Sequence, residues 1–148
     1  MKLKEKAMRK IKFKAFFKAD ERIYEVTSID FANKEVTLWD KETAVNFEAS
    51  FEDIELLQYT GINDINGKEI YTGDIVVYFY EGLGRKGKVI LDEGKFLIID
   101  PRAKDGDDAS DWDAVELYEV SITAYSKLEV IGPIFKLLME NTERKAYK

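Results

Sequence analysis

Cysteine and histidine are both absent from the 148 residues. A chain with no thiol has no disulfide, thiolate zinc site or thiol nucleophile. A chain with no imidazole lacks the usual general base at neutral pH and the commonest transition-metal ligand. Its serines have no histidine partner, so a Ser-His-Asp arrangement within one chain is excluded. Proline occurs only twice, and with no internal repeat or low-complexity tract no flexible interdomain linker is indicated. Long apolar runs are missing as well: none approaches the roughly 18 residues of a membrane span, and the lysine-rich start lacks the apolar stretch of a secretory signal. The expectation is a cytoplasmic protein, off the membrane, with no metal, no other cofactor and no small-molecule substrate.

What is present fits a folded chain. Hydrophobic residues make up 45% and charged residues 35% of a 17.1 kDa protein, enough apolar material for one domain or two small lobes. The net charge of -6 is unevenly spread, with residues 1 to 18 at +7 and the other 130 residues at -13. Most of the surface therefore repels phosphate, which argues against a general nucleic-acid coat protein.

Lys10, Lys12 and Lys14 alternate with Ile11, Phe13 and Ala15, the two-residue period of a strand with one charged and one apolar face. The simplest role for these lysines is a solvated strand face that blocks edge-to-edge pairing; phosphate binding is the alternative. Tyr24, Val26 and residues 28–31 suggest a second strand. Val36, Leu38 and Trp39 suggest a third, after a turn at Asn33 and Lys34, and Val45 and Phe47 continue the meander. Ser50, with an acid three residues on, is placed to cap a short helical turn over Phe51 to Leu57. Asn66-Gly67 marks a tight hairpin, and Ile75 to Tyr80 is an unbroken apolar run that predicts a strand packed on both faces. Residues 88–91 and 96–99 flank Asp92-Glu93-Gly94 as a second hairpin. A polar, acidic loop over 101–113 follows, then strand-like segments at 117–122 and 128–131, although Ala114 to Tyr125 equally admits a helical turn. Pro133 fits the first turn of a short carboxy-terminal helix through Met139.

Three patterns invite a functional reading. Gly82 to Gly87 has the G-x-G-x-x-G spacing of dinucleotide-binding loops, but Lys88 to Leu91 after it reads as strand, so no helix dipole is aimed at a pyrophosphate and a glycine-rich hairpin loop explains it. Asp105, Asp107 and Glu116 occupy positions one, three and twelve of a calcium loop, yet Ala109 and Ser110 stand where a ligand and the turn glycine are required, leaving an acidic surface loop. The aromatic residues Phe13, Phe47, Tyr78, Phe79 and Phe96 sit among aliphatic strand positions and are assigned to the core, with Trp39 beside a turn left open. The basic residues that remain as contact candidates for a partner or for nucleic acid are Lys10, Lys12, Lys14 and Lys18, with Arg85, Lys86 and Lys88.

The stretch YTGINDINGKEIYTGDIVVY, Tyr59 to Tyr78, resembles the hallmark segment of the YopX family, encoded by phages and prophages of Gram-positive bacteria. MRKIKFKAFF at Met8 to Phe17, residues 51–57 and LEVIGPIF at Leu128 to Phe135 resemble its opening, its approach to the hallmark and its closing segment. The resemblance implies a predominantly β fold whose carboxy-terminal part is similar to an SH3-type barrel, and it implies no catalytic or binding residues. The family's opening usually reads F-R-A-W-D, against Phe13-Lys14-Ala15-Phe16-Phe17 here, and residues 1–7 look like an extension ahead of Met8. The expected organisation is this extension, a β meander lobe over 8–50 and an SH3-like β-barrel lobe with a terminal helix over 51–148. The expected role is a non-enzymatic phage accessory protein that binds another protein or assembles as a homo-oligomer; the alternative is a nucleic-acid-associated small barrel using the basic amino-terminal strand.

Overall fold

Short alternating segments separated by tight turns pair into antiparallel sheets with their nearest neighbours in sequence. The computed structural model describes residues 10–123 and 125–133. The chain forms two compact units, Met1–Gly61 and Ile62–Lys148.

In the first unit, strands β1 (Phe13–Phe17), β2 (Arg22–Asp30), β3 (Glu35–Asp40) and β4 (Val45–Ser50) precede a 3₁₀ turn at Phe51–Asp53 and the start of β5 (Ile54–Asn63). Their order is β4-β3-β2-β1-β5. Ala15, Tyr24, Val36, Leu38, Ala49 and Ile54 form the buried face, with Phe17 and Phe47 packed against it. The register explains the set: Ala15 lies opposite Tyr24, Val36 opposite Ala49 and Leu38 opposite Phe47, so these residues share one face of the pleat. The Phe47 ring meets Tyr24 edge-on at 5.0 Å and Phe17 at 5.5 Å, a favoured aromatic geometry. β1 pairs with β2 on one side and β5 on the other. The expected edge-protecting role of its lysines is therefore corrected: β1 is an interior strand, and β4 lies at the end of this order.

Ser50 does cap the turn that follows, its hydroxyl accepting from the Glu52 N–H at 3.3 Å, but the result is one 3₁₀ turn before β5 begins at Ile54. The β-branched and leucine-rich segment from Ile54 onward favours strand once it can pair with β1.

The second unit contains β6 (Glu69–Tyr71), β7 (Asp74–Tyr80), β8 (Leu83–Asp92), β9 (Lys95–Ile99), a 3₁₀ turn at Ala109–Trp112, β10 (Val115–Glu116), helix α1 (Leu117–Ser121) and β11 (Glu129–Pro133). Five strands run in the order β10-β9-β8-β7-β11. The mainly-β reading holds, while this sheet is open, ending in β10 and β11, and not a closed barrel among the described residues. Its core is aliphatic: Ile70, Val76, Val89, Ile98, Leu117, Val120, Leu128 and Val130, together with Tyr78. The ambiguous segment after residue 114 contains both possibilities, two residues of strand and then α1, which puts Leu117 and Val120 inside.

The glycine-rich segment is not a loop. Glu81 and Gly82 make the turn, both with positive φ, and Gly84 and Gly87 lie within β8. At Gly87 an added Cβ would sit 2.4 Å from Ile98 Cγ2 and 2.8 Å from the Ile99 carbonyl oxygen, so close strand packing requires the glycine. Phe79 is a second correction: it is 47% exposed, because β7 alternates and buries Tyr78 on the opposite face. The expected terminal helix lies outside the described residues, and Pro133 is the last residue of β11.

Asp64 organises the hairpin between β5 and β6. One carboxylate oxygen accepts from the Asn66 and Lys68 N–H groups, both at 2.9 Å, and the other accepts from Val130 N–H at 3.0 Å. Asp64 is buried, and three donors on one ion are what make such burial tolerable.

Candidate functional site

The seven basic residues singled out in the sequence divide between the two units. Lys10 and Lys12 are exposed ahead of β1, where the Lys12 carbonyl accepts from Tyr59 N–H at 2.9 Å. Lys14 is half-buried within β1. Lys18, in the turn after β1, donates to the Glu52 carbonyl at 3.0 Å and lies 3.8 Å from the Glu55 carboxylate. The side chain thus staples a turn instead of standing free for phosphate.

The second cluster is split by the alternation of β8. Arg85 shares its parity with buried Gly87 and Val89, and its guanidinium lies 5.5 Å from the Tyr80 ring centroid. Lys86 faces the other way and is exposed. Lys88 also takes that opposite parity, but its ammonium donates to the Ala103 carbonyl, fixing the loop after β9. Three adjacent cations in sequence therefore do three different things, and they do not form one basic patch.

A cavity of about 120 Å³ opens on the first unit beside Trp39 and Lys14. Its wall carries Lys14, Arg22 and Lys41 against Glu25, Asp40 and Glu42. Arg22 is bound to Glu42 at 2.8 Å, and that carboxylate raises its pKa through a hydrogen bond and charge attraction. Lys14 lies opposite Glu25, which lies opposite Trp39. Balanced charge of this kind focuses no net field on a phosphate.

Asp100, Asp107 and Asp108 use their carboxylates within the acidic segment. Asp100 binds Arg102 at 2.7 Å, and this hydrogen-bonded pairing lowers its pKa to about 2. Asp107 accepts from Lys104 N–H at 2.8 Å, and Asp108 caps the 3₁₀ turn through Ser110 N–H at 3.0 Å, with Ser110 holding its pKa low. Asp and Glu residues with metal-holding geometry are not grouped anywhere among the described residues.

A feature that the sequence reading passed over lies around α1. Leu117 and Val120 are buried, while Tyr118 at 62%, Ile122 at 65% and Tyr125 at 84% are exposed. Tyr118 lies on α1, Ile122 caps its carboxy-terminal end and Tyr125 follows it; the apolar residues are visible in the sequence, but which of them stay outside depends on the core that Leu117 and Val120 enter. No described helix is long and apolar enough to cross a membrane.

The family model described as YopX protein matches residues 12–137. Among solved structures, the chain is similar to protein yopX from Bacillus subtilis, with 19% identity, a TM-score of 0.56, and coverage of 87% of this chain and 95% of that one. Protein EF1440 from Enterococcus faecalis is similar at 21% identity and a TM-score of 0.52, covering 86% and 95% respectively. At these identities the likeness concerns the fold. No curated protein matches the sequence.

Proposed function

This chain belongs to the YopX family, and from that premise we propose that it is a non-enzymatic phage or prophage accessory protein that works by binding another protein or by assembling with its own copies. The observation that carries this reading is the exposed apolar set Tyr118, Ile122 and Tyr125. Tyrosine at 62% and 84% exposure supplies large contact area at low conformational cost, the composition of interface hot spots. Solvation of these rings brings no gain to the isolated unit, whose core is already closed by Leu117 and Val120.

Nucleic-acid binding draws less support. Lys18 and Lys88 are committed to backbone carbonyls, Arg85 turns toward Tyr80, and the Trp39 cavity carries matched charges. An SH3-type relationship for the second unit accords with five short antiparallel strands, and a cytoplasmic setting accords with the thiol-free composition.

The test places a photo-crosslinking residue at position 125 in the lysogenic host and measures solution mass in parallel. A discrete adduct or a mass above 17.1 kDa, each abolished by the combined Tyr118→Ser, Ile122→Ser and Tyr125→Ser variant, is the expected result. A monomer with no adduct, binding labelled duplex DNA in a salt-sensitive manner that Lys12→Glu and Lys14→Glu remove, would favour the nucleic-acid reading instead.

A further inference from the structure

The two strand orders end in β4 and β6, and in β10 and β11. Sheet edges in folded proteins are commonly blunted by shortness, bulges, proline or lysine, and three of these edges are. β6 has three residues and β10 two, while β11 carries a bulge between Val130 and Gly132 and includes Pro133. β4 has none of these devices. Val45-Asn46-Phe47-Glu48-Ala49-Ser50 pairs in unbroken register with β3 and contains neither lysine nor proline.

The register also fixes which backbone groups of β4 are free. Phe51 N–H donates to the Lys34 carbonyl at 2.9 Å, and the pairs Val36–Ala49 and Leu38–Phe47 continue the same alternation. Phe47 and Ala49 therefore turn their N–H and C=O groups toward β3, whereas those of Asn46 and Glu48 point outward, where no described strand pairs with them.

This edge is complementary to itself. When a second β4 runs antiparallel with Phe47 opposite the partner's Phe47, Val45 meets the partner's Ala49 and Asn46 meets the partner's Glu48. Asn46 and the partner's Glu48 then exchange backbone hydrogen bonds, and the side-chain amide donates to the carboxylate. On the core-side face, the half-buried Phe47 and the Val45 side chain, 55% exposed in the single chain, gain apolar cover. Other registers are worse. A slip of one residue sets charge on the core side. A slip of two sets Glu48 opposite the partner's Glu48 in one direction, and in the other runs Ala49 into the 41–44 turn.

We propose that β4 is a homotypic pairing edge that accepts the β4 of a second copy of this chain, in the register centred on Phe47. Its role rests on the self-assembly proposed above, whereas its geometry rests on β4 alone. So short a contact is weak at assay dilution and is read by trapping it, not by solution mass.

Amide hydrogen exchange of the unaltered full chain is followed at low and high concentration. The Asn46 and Glu48 amides gain protection as concentration rises, while those of Phe47 and Ala49, already bonded to β3, do not change. Because the chain has no cysteine, introduced thiols then trap the register. Val45→Cys chains mixed with Ala49→Cys chains form a disulfide-linked pair, since these positions face each other as a non-hydrogen-bonded pair with Cα atoms about 4.5 Å apart. Val45→Cys alone crosslinks several-fold less, having no thiol opposite it. In the mixed chains Asn46→Glu slows crosslinking several-fold by facing the partner's Glu48 with a like charge, and adding Glu48→Lys restores it. Both positions are exposed, so neither change disturbs the core. Mixed chains that crosslink no faster than Val45→Cys alone, or an Asn46→Glu change without effect, overturn the register; exchange at Asn46 and Glu48 that ignores concentration overturns the edge. A crosslink that survives the combined Tyr118→Ser, Ile122→Ser and Tyr125→Ser variant assigns the contact to β4, and one lost with it overturns that assignment. An adduct at position 125 without any β4 crosslink refutes this edge and leaves the proposed function standing.

Discussion

The hairpins of the two units solve the same geometric problem with different residues. In the first unit the three loops joining β1 to β4 are four-residue turns, at 18–21, 31–34 and 41–44, and each ends on a left-handed residue with a side chain: Glu21, Lys34 and Ala44. In the second unit the β7–β8 and β8–β9 turns are two-residue turns that pair a left-handed glutamate with a left-handed glycine, Glu81-Gly82 and Glu93-Gly94. Left-handed backbone costs an L-residue on the order of 1 kcal/mol and costs glycine far less. The first unit recovers part of this locally: Asp30 and Asp40 each accept a backbone N–H in the turn that follows, and Asp20, inside its turn, accepts from Arg22 N–H at the start of β2. Its core also differs, being built on edge-on aromatic rings over small Ala15 and Ala49, where the second unit packs branched aliphatics. The same strand-turn-strand topology is thus reached once by side-chain-stapled turns and aromatic packing, and once by glycine turns and aliphatic burial.

The contrast is open to direct attack, most forcefully through the cores. Leu38→Ala in the first unit and Ile98→Ala in the second each remove a side chain that is 0% exposed and should each cost about 3 to 4 kcal/mol in urea unfolding. If the Leu38 variant lost less than about 1 kcal/mol, the first unit's aromatic packing would be loose enough to collapse around the gap. Asp64→Ala comes next, at about 3 kcal/mol, since it strands the buried Val130 N–H and two turn donors at once. Asp64→Asn, which keeps one acceptor oxygen, should recover part of that loss.

The turns give smaller and opposite effects. Gly94→Ala should destabilise by about 1 kcal/mol, and Ala44→Gly should stabilise by about 0.5 kcal/mol, because the left-handed backbone is strained for one residue and natural for the other. Thermal unfolding of both variants checks the pair; the same sign for both would dissolve the distinction between the two turn designs. The least effect is expected from pH. The folded-state pKa of Asp100 is depressed to about 2, so its contribution is present above the unfolded value near 3.8 and is lost as pH falls through the folded one. Arg102→Ala should flatten the slope of stability between about pH 4 and 2, read from urea midpoints, with solvent screening keeping the difference small.

Much of the fold was legible because strands declare themselves by a period of two. Asn66-Gly67 and Glu93-Gly94 fixed two hairpins through turn chemistry, and the alternation about Ala15 located the face that enters the core. What escaped was whatever depends on neighbours in space. Nothing local distinguishes an interior β1 from an edge strand, so its lysines were assigned a protective role that pairing with β5 removes. Phe79 was placed in the core with the rest of an apolar run, but parity decides burial once the strand has one solvated face. The basic residues 85, 86 and 88 look like one cluster in sequence, but adjacent strand positions point to opposite faces, which separates Arg85, and Lys88 is drawn to the Ala103 carbonyl. Asp64 looked like an ordinary turn residue, since its bond to Val130 joins positions 66 apart.

That separation has a bearing on how the chain is made. As the polypeptide leaves the ribosome, the Asp64 hairpin is synthesised early with one of its carboxylate oxygens still waiting in water, and β7 exposes the edge that β11 will cover. Closure comes only when the segment around Val130 emerges and pays the entropy of a long loop in a single step. The last described strand therefore closes two things at once: without it β7 keeps an open edge and Asp64 keeps one carboxylate oxygen in water.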